Sequence, residues 1–353
     1  MPNTDNNDAI KITLDDLARV KVPEAGMGPI LPASPGAKSY GTITDAAGQA
    51  PAVAEESGSI LLQGWFYLGL SGLLGAVVGW GIAEPAFVDG PGTHRWGNIW
   101  LVPIILTLMC LSFGIAESTV ERSAKKALLR GVLALPLGVF LGFMFYFVGN
   151  LIFNILIGIT YDLGARTIHN PAFWIARGLA WASFGAAGGL IYGIVGQSSK
   201  KGTYGVIGGM IGAGIGGMVF DPISFLTHGG GMSRAVGFAL VGMATGVGMG
   251  LVESALKDRW LYVTSGPLAG KQFILYKSLT TLGREQQADI YLFKDANILP
   301  QHAAIAISGS RVQLKALGAV YVGGGPVQTR VLQDGDLLQI GRYAFRYKER
   351  QRQ

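Results

Sequence analysis

The sequence predicts a six-helix membrane bundle followed by an all-β sandwich. Three observations carry that prediction. Between Ile60 and Leu251 lie six long apolar segments separated by short polar loops, with no charged residue in the middle of any of them. Their lengths suit helices crossing a hydrocarbon core of about 30 Å. From Lys257 onward the apolar runs shorten and alternate with glycine, aspartate and lysine turns, the pattern of strands. Charged residues make up only 14% of the 353-residue chain and apolar ones 50%, a membrane-type balance.

Residues 1–58 are polar, rich in Pro, Gly, Ala and Ser, and are expected to be disordered. Within them Ile10–Val20, with Thr13 as N-cap, could form a short helix. The first residues carry no basic region and no apolar run, so no cleavable signal is expected and insertion would start near Ile60. The second domain, 59–256, holds the segments Ile60–Ala83, Asn98–Ala116, Gly131–Ile159, Phe173–Val195, Gly202–Phe220 and Ala235–Leu251. Arg122, Lys125, Lys126, Arg130, Lys200, Lys201, Lys257 and Arg259 follow even-numbered segments; only Arg95, Arg166, Arg177 and Arg234 mark the other side. Eight against four predicts both termini in the cytoplasm, and a bacterial inner membrane as the setting. The formal charge of +6 is thus assigned to membrane orientation; no nucleic-acid partner is expected.

The segments repeat. Arg177, Gly185, Gly189 and Gly193 recur as Arg234, Gly242, Gly246 and Gly250, each 57 residues later, so three copies of one helical hairpin are predicted. Gly185/Gly189/Gly193, Gly208/Gly212/Gly216 and Gly242/Gly246/Gly250 form bare stripes, which in lipid let helix backbones approach closely. Such stripes predict a packed bundle; a glycine-lined pore is the alternative. Asn150 and Asn154 are expected to bond to neighbouring helices. At the outer tips, Glu84, Asp162 and Asp221 end outgoing helices, while Arg95, Arg177 and Arg234 open the returns. Both signs oppose the helix macrodipole, so pairing across each hairpin mouth is expected. His94, His169 and His228 sit at the same tips. Duplication of an ancestral tip histidine accounts for them; a shared transition-metal site is the alternative, and neither metal nor cofactor is expected. Cys110, the single cysteine, excludes an intrachain disulfide and reads as a small buried hydrophobe.

The third domain, 257–353, reads as short strands at Leu261–Val263, Gln272–Leu275, Ile290–Phe293, Ala303–Ile307, Val312–Leu314, Leu337–Ile340 and Ala344–Tyr347. Its motifs are Gly266-Pro267-Leu268-Ala269-Gly270, Leu282-Gly283-Arg284, Asp289-Ile290-Tyr291-Leu292, Gln301-His302-Ala303 and Leu332-Gln333-Asp334-Gly335-Asp336. In order and spacing, residues 258–350 resemble a forkhead-associated (FHA) domain. The resemblance implies an FHA-like sandwich whose loops at one end bind phosphothreonine peptides. It implies Arg284 as phosphate or backbone ligand and His302 as the loop brace. Leu299 stands where the family has a serine that donates to phosphate, and Gly323-Gly324 where it has an asparagine-glycine gripping the peptide. Two charge-assisted contacts are thereby lost, at about 1.5–3 kcal/mol each, so weak or no phosphothreonine dependence is expected.

No nucleophile–base set, Walker-type loop or paired-carboxylate site occurs, and no enzyme is predicted. The chain reads as a membrane-anchored scaffold whose FHA-like tail docks a cytoplasmic protein or phosphopeptide, alone, as a homo-oligomer, or in a larger membrane assembly. The alternative is a channel or small transporter built from the hairpins and regulated by the tail.

Overall fold

Six helices carry the apolar segments of the chain: α1 (Gly64–Ala83), α2 (Trp96–Val120), α3 (Ala124–Asp162), α4 (Pro171–Val195), α5 (Ser199–Leu226) and α6 (Gly230–Leu256). The computed structural model describes residues 58–89, 96–162, 164, 167, 169–227 and 229–350. The expected N-terminal helix at Ile10–Val20, and most of the 1–58 region, lie outside them. By length and composition all six helices could cross a membrane. Local chemistry starts two of them. Asn170 Oδ1 accepts the Ala172 N–H ahead of α4, with Pro171 in the first position, and Ser198 Oγ accepts the Lys201 N–H ahead of α5.

Each helix packs on the next, and α6 returns against α1, so the six close into a ring. Glycine governs three of these seams. Gly185, Gly189 and Gly193 of α4 face α5; Gly208, Gly212 and Gly216 of α5 face α6; Gly242, Gly246 and Gly250 of α6 face α1. At the α4–α5 seam a Cβ on Gly185 would lie 1.9 Å from the Gly209 carbonyl oxygen, and one on Gly209 would lie 2.3 Å from that of Gly185. Only paired glycines permit that approach. The outermost helix is α3, whose Leu128, Val132, Phe140, Phe147 and Leu151 are exposed. Its 39 residues make it about 58 Å long, well beyond a bilayer core.

Tertiary contacts revise several sequence expectations. α3 starts at Ala124, so Lys125, Lys126 and Arg130 stand inside a helix and not in a loop. α5 continues through Asp221-Pro222 to Leu226, because Asp221 is buried and held by Arg177 Nε at 2.9 Å. The pairing across each mouth is not found among the described residues. Instead the arginines reach the next hairpin: Arg177 of α4 pairs with Asp221 of α5, and Arg234 of α6 pairs with Glu84 beyond α1 at 2.5 Å and with Asp89 at 2.7 Å. Ring closure puts those ends side by side. Asn150 and Asn154 do not bridge helices; each donates to the carbonyl one turn back, of Tyr146 and Asn150.

Only Lys257 and Asp258 separate α6 from the sandwich. Eleven strands follow: β1 (Arg259–Ser265), β2 (Gln272–Ile274), β3 (Leu279–Gly283), β4 (Ile290–Tyr291), β5 (Ala303–Ser308), β6 (Arg311–Ala316), β7 (Val320–Val322), β8 (Gly325–Pro326), β9 (Thr329–Val331), β10 (Leu337–Ile340) and β11 (Tyr343–Glu349). They form two sheets, ordered β2-β1-β11-β10-β7-β8 and β4-β3-β5-β6-β9, antiparallel except for β3 with β4. Leu261, Val263, Leu282, Ile305, Leu314, Leu338, Ile340 and Phe345 fill the space between the sheets. Four of the eleven strands fall outside the seven expected ranges: β3, five residues long, and β7, β8 and β9, which at two or three residues are too short to show an alternating pattern.

Candidate functional site at the loop end of the sandwich

Arg284 follows directly on β3. Its amide N–H donates to the Leu299 carbonyl at 2.9 Å, and the Glu285 N–H donates to that of Pro300 at 3.1 Å. The glycine before it is a requirement of that approach: a Cβ on Gly283 would fall 2.0 Å from the Pro300 oxygen. The Arg284 side chain is exposed and makes no hydrogen bond or ion pair among the described residues.

His302 braces the opposing loop. Its ring is 3% exposed; Nδ1 accepts the Leu299 N–H at 3.1 Å and Nε2 faces the Ala319 carbonyl at 3.0 Å. Those partners place the ring proton on Nε2. His302 thus ties the 299–302 loop to the turn ahead of β7. Leu299 itself is 44% exposed and offers an isobutyl group where a hydroxyl donor would stand. Gly323 and Gly324, with φ of 60° and 87°, make the two-residue turn between β7 and β8, where Val322 pairs with Gly325. The site therefore offers one free guanidinium, one apolar side chain and exposed backbone.

Asp289 stiffens the segment after Arg284. It accepts from Lys277 Nζ at 2.8 Å and from the Thr281 amide and hydroxyl, both at 2.9 Å. Burial works to raise its carboxyl, but the Lys277 ammonium and the two Thr281 donors outweigh burial and hold it below the usual carboxylate range.

A second set of polar residues joins the sandwich to the helix ends nearest it. Lys271 reaches Glu121 at 2.8 Å, and Lys126 reaches the same carboxylate at 3.3 Å. Lys201 and Arg130 hold Glu117 at 2.7 and 3.0 Å. Tyr276 of the sandwich donates to Glu253 of α6 at 2.7 Å, alongside Tyr192 of α4 at 3.2 Å. Burial first, and the Glu253 charge second, push the Tyr276 hydroxyl far above the ordinary tyrosine range. Burial pushes the Lys257 ammonium down, against the pull of Glu253. Sequence reading did not single out this junction. The available signal was Glu117, Glu121 and Glu253 near helix C-termini, where the macrodipole disfavours them.

Of the three tip histidines, His169 alone is among the described residues, and His94 and His228 lie outside them. His169 stacks on Phe225 with ring centroids 4.4 Å apart. No group of three His, Cys, Asp or Glu fit for a metal occurs among the described residues. Cys110 is buried in α2.

Within this two-sheet fold, residues 280–341 match the family model of the FHA domain. The sandwich is an FHA domain. Over 86 residues the chain is 36% identical to the glycogen accumulation regulator GarA of Mycolicibacterium smegmatis, covering 24% of this chain and 54% of that protein. It is 37% identical to the oxoglutarate dehydrogenase inhibitor of Corynebacterium efficiens over the same share of this chain and 60% of that one. The chain thus spans little more than half the length of the curated relatives it matches. Among solved structures, the FHA domain of the CT664 protein from Chlamydia trachomatis is 26% identical, covering 27% of this chain and all of that one, with a TM-score of 0.25.

Proposed function

We propose that the chain is a membrane-anchored adaptor. The six apolar helices cross the bilayer, in a bacterial inner membrane with both termini in the cytoplasm, and the FHA domain docks a cytoplasmic protein there. Family membership supports a protein-interaction role, since FHA domains are binding modules. One observation carries the reading: the domain is fastened to the polar ends of the helices by Lys271 and Tyr276, while Arg284, Leu299 and the Gly323-Gly324 turn remain exposed.

Docking depends weakly or not at all on phosphothreonine. Arg284 is left without the serine that the FHA resemblance places against the phosphate and the asparagine it places against the peptide, which weakens phosphopeptide binding by about two orders of magnitude or more. The glycine faces that a conducting pore would turn to a lumen are packed against neighbouring helices. That packing favours an anchor over a channel.

Calorimetry on the full chain in lipid nanodiscs tests the reading, with matched peptides carrying threonine or phosphothreonine. Binding of both forms within about tenfold, lost in Arg284→Ala, is the expected result. Strong selectivity for the phosphorylated form would refute weak dependence. Labelling of a cysteine placed after Glu349 from the outer face would refute the orientation.

A further inference from the structure

The segment that follows Arg284 ends on the helical bundle. Gln286 completes the start of α3: its side-chain Oε1 accepts the Lys125 N–H at 3.2 Å, and its carbonyl accepts the Ser123 hydroxyl at 3.1 Å. The first turn of a helix has N–H groups without intrahelical partners, and a sandwich loop supplies an acceptor here. Lys126 Nζ adds bonds to the carbonyls of Ala288 and Asp289 at 2.8 and 3.3 Å. Beyond β4, the Arg122 guanidinium carbon lies 6.0 Å from the centroid of the Phe293 ring. The α2–α3 turn and the first turn of α3 therefore hold the Arg284–Lys294 segment at three points.

Charge around this segment is unevenly matched. Lys126 and Lys271 share Glu121, Arg130 and Lys201 share Glu117, and Lys277 holds Asp289. By contrast Arg122, Lys125, Arg284 and Lys294 are exposed, and none of their side chains makes a hydrogen bond or ion pair among the described residues. Asp295 spends both carboxylate oxygens on the amides of Asn297 and Arg342. Glu285, exposed, remains the free carboxylate of the segment.

We propose that Arg122 and Lys125 of the α2–α3 turn form, with Arg284 and Lys294 of the FHA domain, one partner-binding surface, and that its occupant is an Asp/Glu-rich segment of a cytoplasmic protein. This rests on the adaptor reading and adds a second wall to its site. Four unmatched cations spread along one loop and one helical turn complement an extended acidic chain. An anionic membrane surface would press Glu285 against like charge, whereas a peptide can set an uncharged residue opposite it. The bundle then both fixes the loop that carries Arg284 and contributes two of the four cations.

The test measures binding to the full chain in nanodiscs of zwitterionic lipid, using short Glu-rich peptides and Gln-substituted controls. The variants are Arg122→Gln/Lys125→Gln, Arg122→Glu/Lys125→Glu, Arg284→Ala and Glu285→Gln. All substituted side chains are exposed, and thermal melting checks each fold. Expected are salt-sensitive binding of the Glu-rich peptides alone, a loss of about tenfold or more in the Arg122→Glu/Lys125→Glu variant, a smaller loss with glutamines, and tighter binding in Glu285→Gln. If the Arg122/Lys125 variants bind as wild type while Arg284→Ala does not, the surface is confined to the sandwich: the proposal falls and the adaptor reading stands. If those variants lose affinity for phosphatidylglycerol vesicles but not for peptide, the cations face lipid and the proposal falls. Binding of phosphothreonine peptides alone overturns the proposal, and indifference of peptide binding to Arg284→Ala overturns both readings.

Discussion

Lys271, ahead of β2, meets Glu121, just beyond α2, at 2.8 Å with side-chain exposures of 1% and 2%. The pair makes the FHA domain and the helices one body instead of two beads on a linker. Only two residues connect α6 to β1, which keeps the domain close to the helix ends. A fastened domain presents Arg284 at a fixed place beside the helical ends, and that place is what the proposed adaptor role uses.

Removing one partner of this buried pair exposes its role. Lys271→Met leaves Glu121 with only Lys126, and about 3 kcal/mol of stability is expected to go with it. The double variant Lys271→Met/Glu121→Gln should recover most of the loss. Thermal unfolding in detergent reads the cost, and protease susceptibility of the 257–350 region reads the loosening.

The α4–α5 seam gives a steric prediction. Gly185→Ala sets a methyl group 1.9 Å from the Gly209 carbonyl oxygen, so the helices must separate, at an expected cost of about 1–3 kcal/mol. Gly158→Ala, with nothing within 4 Å of the new atom, is the matched control. Comparison of melting temperatures in one detergent decides it; equal shifts would sink the account of the glycine faces.

Acid should act through Asp289. A carboxyl held below its ordinary range contributes stability above the unfolded value, about pH 4, and loses it as the pH falls through the depressed folded value. Wild type should exceed Asp289→Asn in stability by a constant margin near neutral pH, and the margin should shrink below about pH 4. Urea or thermal unfolding of both chains between neutral and acid pH measures it. A margin unchanged in acid would show that the carboxylate charge is not responsible.

His302 connects loop order to binding. His302→Ala strips the Leu299 N–H and the Ala319 carbonyl of their partner, at about 1–3 kcal/mol for each group left buried. The 299–302 loop, which receives the Arg284 amide through the Leu299 carbonyl, should then loosen. Hydrogen exchange at Arg284 and Leu299 should rise, and peptide affinity should drop although His302 is buried and touches no ligand.

Helix number and type were legible because apolar segments of this length admit few other structures, and the sandwich because its Gly-Arg, His and Asp-Gly motifs keep their order. Single side chains were less legible. Glu84, Asp221, Arg177 and Arg234 were recognised as needing partners, yet the sequence could not say that ring closure pairs each arginine with the next hairpin. Asn150 and Asn154 looked like bridges and bond within α3, because a carbonyl one turn back is always in reach.

The sequence by itself determined the two-part architecture, the helix-spaced glycines, and the retention of Gly283-Arg284 with a leucine at position 299, since all of these depend on residue type and spacing along the chain. Only the tertiary structure decided that α6 closes on α1, that Lys271 finds Glu121, and that Gln286 starts α3. Those contacts join residues 145 or more positions apart, and nothing in local spacing encodes which distant charge or amide will lie opposite once the chain has folded.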